Sequence, residues 1–282
     1  MSALNYIFAV IDPTQDSQPA LQRAITLASE EDSYVHAFLC DYSSEQELND
    51  ASSKHEAKHQ VQVRSQELLG KVMTAVGDVN CKLGKEVYWN KSWAKSATLA
   101  SGRQGADLLI KTISPSREKT MRFKSADRYL LRNASCPVLL ALPEQSGDYK
   151  KIVAAVDLES ADDTHMRLNH AVISSSRQLA ERTGAELYVV SAYVDQLNQD
   201  LLEEQECATQ QEQIARTFGI PTQHVFLERG PARDVILEAS KRLNADMLVI
   251  GTSARKGLAG ALLGNTAEKI LTDISCDVLA VS

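Results

Sequence analysis

The chain is written twice. YIFAVID at residues 6–12 has its counterpart in KIVAAVD at 151–157, each an apolar run closed by an aspartate. GADLLIKT, ending at Thr112, matches NADMLVIGT, ending at Thr252, and LRNASCPVLLA at 131–141 lies over LTDISCDVLAV at 271–281. Three anchors in the same order mean duplication, so one fold has to serve both copies. A chain of 282 residues gives each copy the size of one ordinary domain. The polar stretch PEQSGDY at 143–149 has a linker's composition and sets the expected domains at 1–147 and 148–282.

Within each copy, continuous apolar runs alternate with longer helical patterns. The expected strands are 6–11, 34–40, 86–89, 107–111 and 137–142 in the first copy, and 151–156, 186–192, 224–227, 246–250 and 277–281 in the second. Runs such as IVAAV and MLVI do not alternate with polar residues, which predicts strands buried on both faces of a parallel sheet. Leu21, Ala24, Ile25 and Ala28 form a helical stripe after the first strand, and Leu68, Val72 and Val76 form another on a long second helix. The fold class is therefore α/β: two tandem Rossmann-like domains, each a five-stranded parallel sheet with helices on both faces. In such a domain the binding crevice lies where strand order reverses, beyond the carboxyl ends of strands 1 and 4. That singles out Asp12 and Lys111 in the first copy and Asp157 and Gly251 in the second. A lone copy would expose its last strand as an edge, so the copies are expected to form an intramolecular pseudo-dimer, with a homodimer as a further level of assembly.

Composition removes several classes. With 44% hydrophobic and 24% charged residues, and no apolar run near the ~18 residues of a membrane span, neither disorder nor stable membrane insertion is expected. MSALNYIFAV lacks a basic segment before its apolar stretch and reads as a strand, so a cytoplasmic protein is expected. Five cysteines without a CxxC pair argue against a disulfide framework. The first copy carries 17 basic and 17 acidic residues and the second 13 and 20, so the whole net charge of −7 lies in the second copy. No general nucleic-acid surface is expected from that balance.

After strand 4 the second copy reads GTSARKGLAGALLGNTAEKIL from Gly251. Its glycines and the helix expected near Asn265 suit a phosphate, and they equally suit a flexible strand-to-helix loop. The opening IDPTQDSQPALQRAITLA, this GTSARKG…LLGNTAE loop and the closing SCPVLLAL resemble the universal stress protein family over essentially the whole chain. The duplication is similar to the family's tandem, E-type branch. The resemblance implies Rossmann-like domains of the adenine nucleotide alpha hydrolase-like kind. Some members bind ATP through a loop of the form G-x2-G-x9-G-[ST], with the strand 1 aspartate beside the adenine. Gly251 and Gly264 match the first and last glycines, whereas Ala254 replaces the middle one and Asn265, followed by Thr266, replaces the hydroxyl residue. Asp157 matches the adenine-side aspartate, and Ala192 falls at the strand 2 position lining the base. The resemblance thus implies a damaged nucleotide site in the second domain, with ATP bound weakly and no cofactor required.

The aligned segment of the first copy, KTISPSREKTMRFKSADRYLLR at 111–132, has no glycine and holds seven basic residues against two acidic ones. Without glycine its backbone cannot press closely on phosphates. It reads either as a solvated charged loop and helix or as a cationic site for an anionic ligand. On the second reading, Asp12, Leu39, Trp93, Lys111, Arg122 and Lys124 would surround an amphipathic ligand with an anionic head. Trp89 and Trp93 bracket the turn after strand 3 and suit packing between elements as well as a crevice wall. His55-Glu56-Ala57-Lys58-His59 spells the zinc-protease string HExxH, but no third ligand follows at a familiar spacing and a lysine stands between the histidines. It reads as a solvated helix face. Two SxxK strings, Ser92 to Lys95 and Ser116 to Lys119, lack the KTG and SDN partners of acyl-transfer enzymes. The expectation is a ligand-binding stress-response protein without catalysis, its alternative an ATP-binding or weakly hydrolysing switch that uses the second domain only.

Overall fold

The computed structural model describes residues 4–28, 32–48, 51–113, 124–158, 162–193, 200–252 and 265–282, with no side-chain description for 200–207 and 265. The described residues divide into two compact units at Gly147 and Asp148.

The first unit runs β1 (Tyr6–Ile11), α1 (Pro19–Leu27), β2 (Tyr34–Asp41), α2 (Lys54–Val76), β3 (Lys82–Trp89), α3 (Trp93–Arg103), β4 (Leu108–Thr112), α4 (Ser125–Asn133) and β5 (Val138–Ala141). Its strands are parallel in the order β3-β2-β1-β4-β5. The order reverses between β1 and β4, and right-handed crossovers then place α1 and α2 on one face and α3 and α4 on the other. Ile7, Phe8 and Ala9 of β1 and Leu109 and Ile110 of β4 have no exposed surface, as continuous apolar runs under two helical layers require.

The second unit repeats this with β6 (Lys151–Val156), α5 (Asp163–Thr183), β7 (Glu186–Tyr193), α6 (Asp200–Phe218), β8 (Val225–Arg229), α7 (Ala232–Leu243), β9 (Met247–Gly251), α8 (Asn265–Asp273) and β10 (Asp277–Val281). Its parallel order β8-β7-β6-β9-β10 is that of the first unit.

Two expectations shift. Strand β3 starts at Lys82, four residues before the expected 86, because KLGK pairs with the whole first half of β2. Gly84 is needed there, since a Cβ would stand 1.9 Å from the Tyr34 hydroxyl oxygen. On α2 the buried stripe is Ala57, Val61, Ser65 and Leu69, not Leu68, Val72 and Val76. Val72 and Val76 instead line an open groove with Leu21 and Ile25 of α1.

Candidate functional site

Each unit has a cavity at its switch point, lined by that unit's own residues. The first, of about 330 Å3, is walled by the ends of β1 and β4, the chain after β2, and the starts of α3 and α4. Asp12, Trp93, Lys111 and Lys124 all line it, with Cys40, Asp41, Tyr42 and Lys91. Leu39 does not. It is fully buried, and its neighbour Cys40 faces the cavity instead; successive strand residues point to opposite faces. Arg122, with Arg117 and Lys119, lies outside the described residues.

Lys111 is not a solvated member of a charged loop. It is 9% exposed, with its Nζ 5.2 Å from the centre of the Trp93 ring and 3.6 Å from Asp127 Oδ1. The same ammonium donates to the Thr112 carbonyl. Asp127 is itself buried, and its Oδ2 accepts the Lys124 N–H at 3.0 Å. One carboxylate on the first turn of α4 thus balances Lys111 and caps the helix, so the compensating anion lies within the same unit. Asp41 is similarly engaged by Arg64 at 2.8 Å. Lys91 and Lys124 are exposed amines at the mouth. Trp93, which packing alone would explain, forms a wall of the cavity beneath the lysine.

The second cavity, of about 310 Å3, is lined by Asp157, Ala192, Gly251 and Thr266 of the expected site, together with His165, Leu168, Asn169 and a largely apolar floor. Gly264 lies outside the described residues, and of Asn265 only its place as the first residue of α8 is described. Gly251 does not adopt the left-handed backbone. Its missing Cβ makes room for a side chain instead: a Cβ there would stand 2.6 Å from Leu168 Cδ2. Gly251 thus lines the cavity and also leaves room for Leu168 of α5.

Both strand-end aspartates are held by a side-chain amide. Gln18 accepts the Asp12 N–H at 3.0 Å and donates to its carbonyl at 2.8 Å. Asn169 does the same for Asp157, accepting at 3.0 Å. The clamp comes from six residues on in one copy and twelve in the other, a role that matching of the two sequences conceals. His165, also missed, bridges two carboxylates. Its Nδ1 pairs with Asp162, the N-cap of α5, and its Nε2 lies 3.9 Å from Asp157 Oδ2. Bonds from the His165 backbone N–H and ring hold the Asp162 carboxyl below the usual carboxylate range.

The HExxH string has a helix-capping role. Glu56 accepts from the Ser52 N–H at 2.8 Å and hydroxyl at 2.6 Å, while its own N–H donates to Ser53 Oγ. His55 and His59 are exposed, and among the described residues no group of His, Cys, Asp and Glu has a metal-holding arrangement. Ser92 is the N-cap residue of α3, and Ser116 to Lys119 fall outside the described residues. Cys40, Cys136 and Cys276 are buried and unpaired, and burial pushes the Cys40 and Cys136 thiols up to about 11. Among the described residues no helix is long and apolar enough to cross a membrane.

The sequence model of the universal stress protein family matches residues 5–141 and again 148–282. Universal stress protein E of Photorhabdus laumondii is 28% identical over 301 residues, covering 100% of this chain and 96% of that protein. Universal stress protein E of Escherichia coli K12 is 28% identical over 300 residues, covering 100% and 95%. Among solved structures, a protein of unknown function from Pseudomonas aeruginosa PAO1 superposes with a TM-score of 0.77 at 29% identity, covering 99% of this chain and 92% of that one. A putative universal stress protein from Pseudomonas aeruginosa UCBPP-PA14 gives 0.75 at 30% identity, covering 99% and 93%.

Proposed function

Because the chain belongs to the universal stress protein family, with one family domain in each half, we propose that it serves the stress response as a cytoplasmic binding protein whose two crevices take different ligands, without catalysis of its own. The observation that carries this reading is one pair of positions matched by the repeat: Lys111, a buried ammonium next to the last residue of β4, stands where the second copy has Gly251 at the end of β9.

In the first crevice, Trp93 and Tyr42 offer aromatic surface to an apolar tail, and Lys91, Lys111 and Lys124 offer donors to an anionic head. An amphipathic anion suits that pairing. In the second crevice ATP binds weakly. Leu168 fills the space above Gly251, and Ala254 and Asn265 interrupt the glycine and hydroxyl pattern. Each lost bond to a charged phosphate is worth ~1.5–3 kcal/mol, or roughly tenfold or more in affinity.

Tryptophan fluorescence, read in a Trp89→Phe background so that Trp93 alone emits, reports the first crevice. Titration with monomeric dodecyl phosphate should quench or shift it, dodecyl maltoside should bind less tightly, and Lys111→Gln with Lys124→Gln should reduce the phosphate's affinity roughly tenfold. Equal binding of both amphiphiles, unaffected by the substitutions, overturns the reading. Calorimetry with ATP should show no association tighter than about 1 μM.

A further inference from the structure

The two copies differ in length on the way out of the first strand. From the strand-end aspartate to the next strand is 22 residues in the first unit, Asp12 to Tyr34, and 29 in the second, Asp157 to Glu186. The seven added residues make about two helical turns, and α5 has 21 residues where α1 has 9. Ala20, Leu21, Arg23, Ala24 and Leu27 of α1 correspond at constant spacing to the buried Val172, Ile173, Ser175, Ser176 and Leu179 of α5. The added turns therefore precede that shared stripe and stand at the mouth of the crevice. They carry His165, Leu168 and Asn169 into its wall, where the first crevice has Pro13 and Thr14 of a loop.

We propose that these two turns make the second crevice selective for a compact apolar ligand that is neutral or positively charged. Asp157 and His165 are the ionisable side chains among the described residues lining it. The one imidazole lies between two carboxylates, those of Asp157 and Asp162. Among the described residues, two carboxylates outweigh one imidazole at the rim whether or not His165 holds a second proton. Against this stands the first turn of α8, which brings Thr266 to the cavity. A helix start counts for roughly half an elementary charge, less than one carboxylate. The floor is apolar, with Ala155, Ala192, Ile236, Ile250 and Ala267, and about 310 Å3 lies at the small end of ligand cavities. A flat ring system with an amine fits these walls and this charge, whereas a polyanion meets like charge at the entrance. The inference rests on the second crevice being a ligand site, and not on its binding ATP.

Three probes that share one ring and differ in charge test it: tryptamine, indole and indole-3-acetate, titrated by calorimetry into the full chain carrying Lys111→Gln to weaken the first crevice for anions. Tryptamine should bind about fivefold or more tighter than indole-3-acetate. Asp157→Asn should weaken tryptamine about threefold to fivefold and leave indole unchanged. Methyl NMR of alanine-labelled protein gives a second readout without a cavity mutation, because tryptamine should shift the methyls of Ala155, Ala192, Ala232 and Ala267 together. Tighter binding of indole-3-acetate, tryptamine affinity indifferent to Asp157→Asn, or unmoved methyls would each overturn the proposal. Submicromolar binding of ATP, a polyanion, in this crevice would overturn the selectivity together with the weak-ATP reading, whereas failure of all three ring probes to bind would overturn the crevice as a ligand site.

Discussion

At the end of β9, the consequence of glycine depends on what approaches it. Leu168 Cδ2 and Cγ lie 2.6 and 2.7 Å from where a Cβ at Gly251 would stand, closer than packed carbons tolerate. Gly251→Ala should therefore destabilise the protein by about 1–3 kcal/mol through overpacking. Leu168→Ala in the same chain should recover part of that loss, giving a favourable coupling energy of at least about 1 kcal/mol in a double-mutant cycle followed by urea unfolding. Additive losses would mean that the two residues do not compete for space. Sequence alone read Gly251 as a place where backbone can approach a ligand, and gave no sign that Leu168 of α5 packs against it. Leu39 failed for a different reason. In VHAFLC the apolar run is continuous, and a strand buried on both faces carries no alternation from which to tell the crevice-facing residue from its neighbour.

Elements in the buried centre were legible, and those at the periphery were less so. Strands β1, β6 and β10 have the expected bounds, because continuous apolar runs flanked by polar residues admit few alternatives. Edge strand β3 begins with half-exposed and exposed residues, so its start has no hydrophobic signature and follows from pairing with β2. Helix α2 shows the same weakness, since its buried stripe mixes Ala57 and Ser65 with Val61 and Leu69, while larger residues one position away suggest a different face. Leu69→Ala should cost about 2–4 kcal/mol and Leu68→Ala less than about 1 kcal/mol, measured by chemical denaturation of each variant. Equal costs would return the stripe to Leu68.

Across the whole molecule, duplication supplied two crevices of one geometry and divergence gave them different chemistry. Net charge follows the same division, zero in the first copy and −7 in the second. Ionic strength should then separate them. Between roughly 50 and 500 mM salt, dodecyl phosphate should lose affinity for the first crevice as the Debye length shrinks, while indole in the second crevice should bind unchanged or slightly tighter, because salting out favours apolar transfer. Parallel weakening of both would place the two ligands in one electrostatic environment. The location of the crevices could be read from the repeats and the switch-point rule. So could part of their walls, such as Trp93 and Lys111 in the first and Asp157 and Thr266 in the second, but not the contacts that hold them, because Asp127, Gln18 and Asn169 reach the strand ends from other elements. The lengthening of α5 has a rotational consequence as well. At about 100° per residue, seven residues turn a helix through about 700°, within about 20° of two complete revolutions. The stripe from Val172 to Leu179 can thus meet the sheet at nearly the angle of its counterpart in α1, whereas five added residues would have swung it about 140° away. A crevice wall was gained at an insertion length that leaves the helix's rotational setting on the core almost untouched.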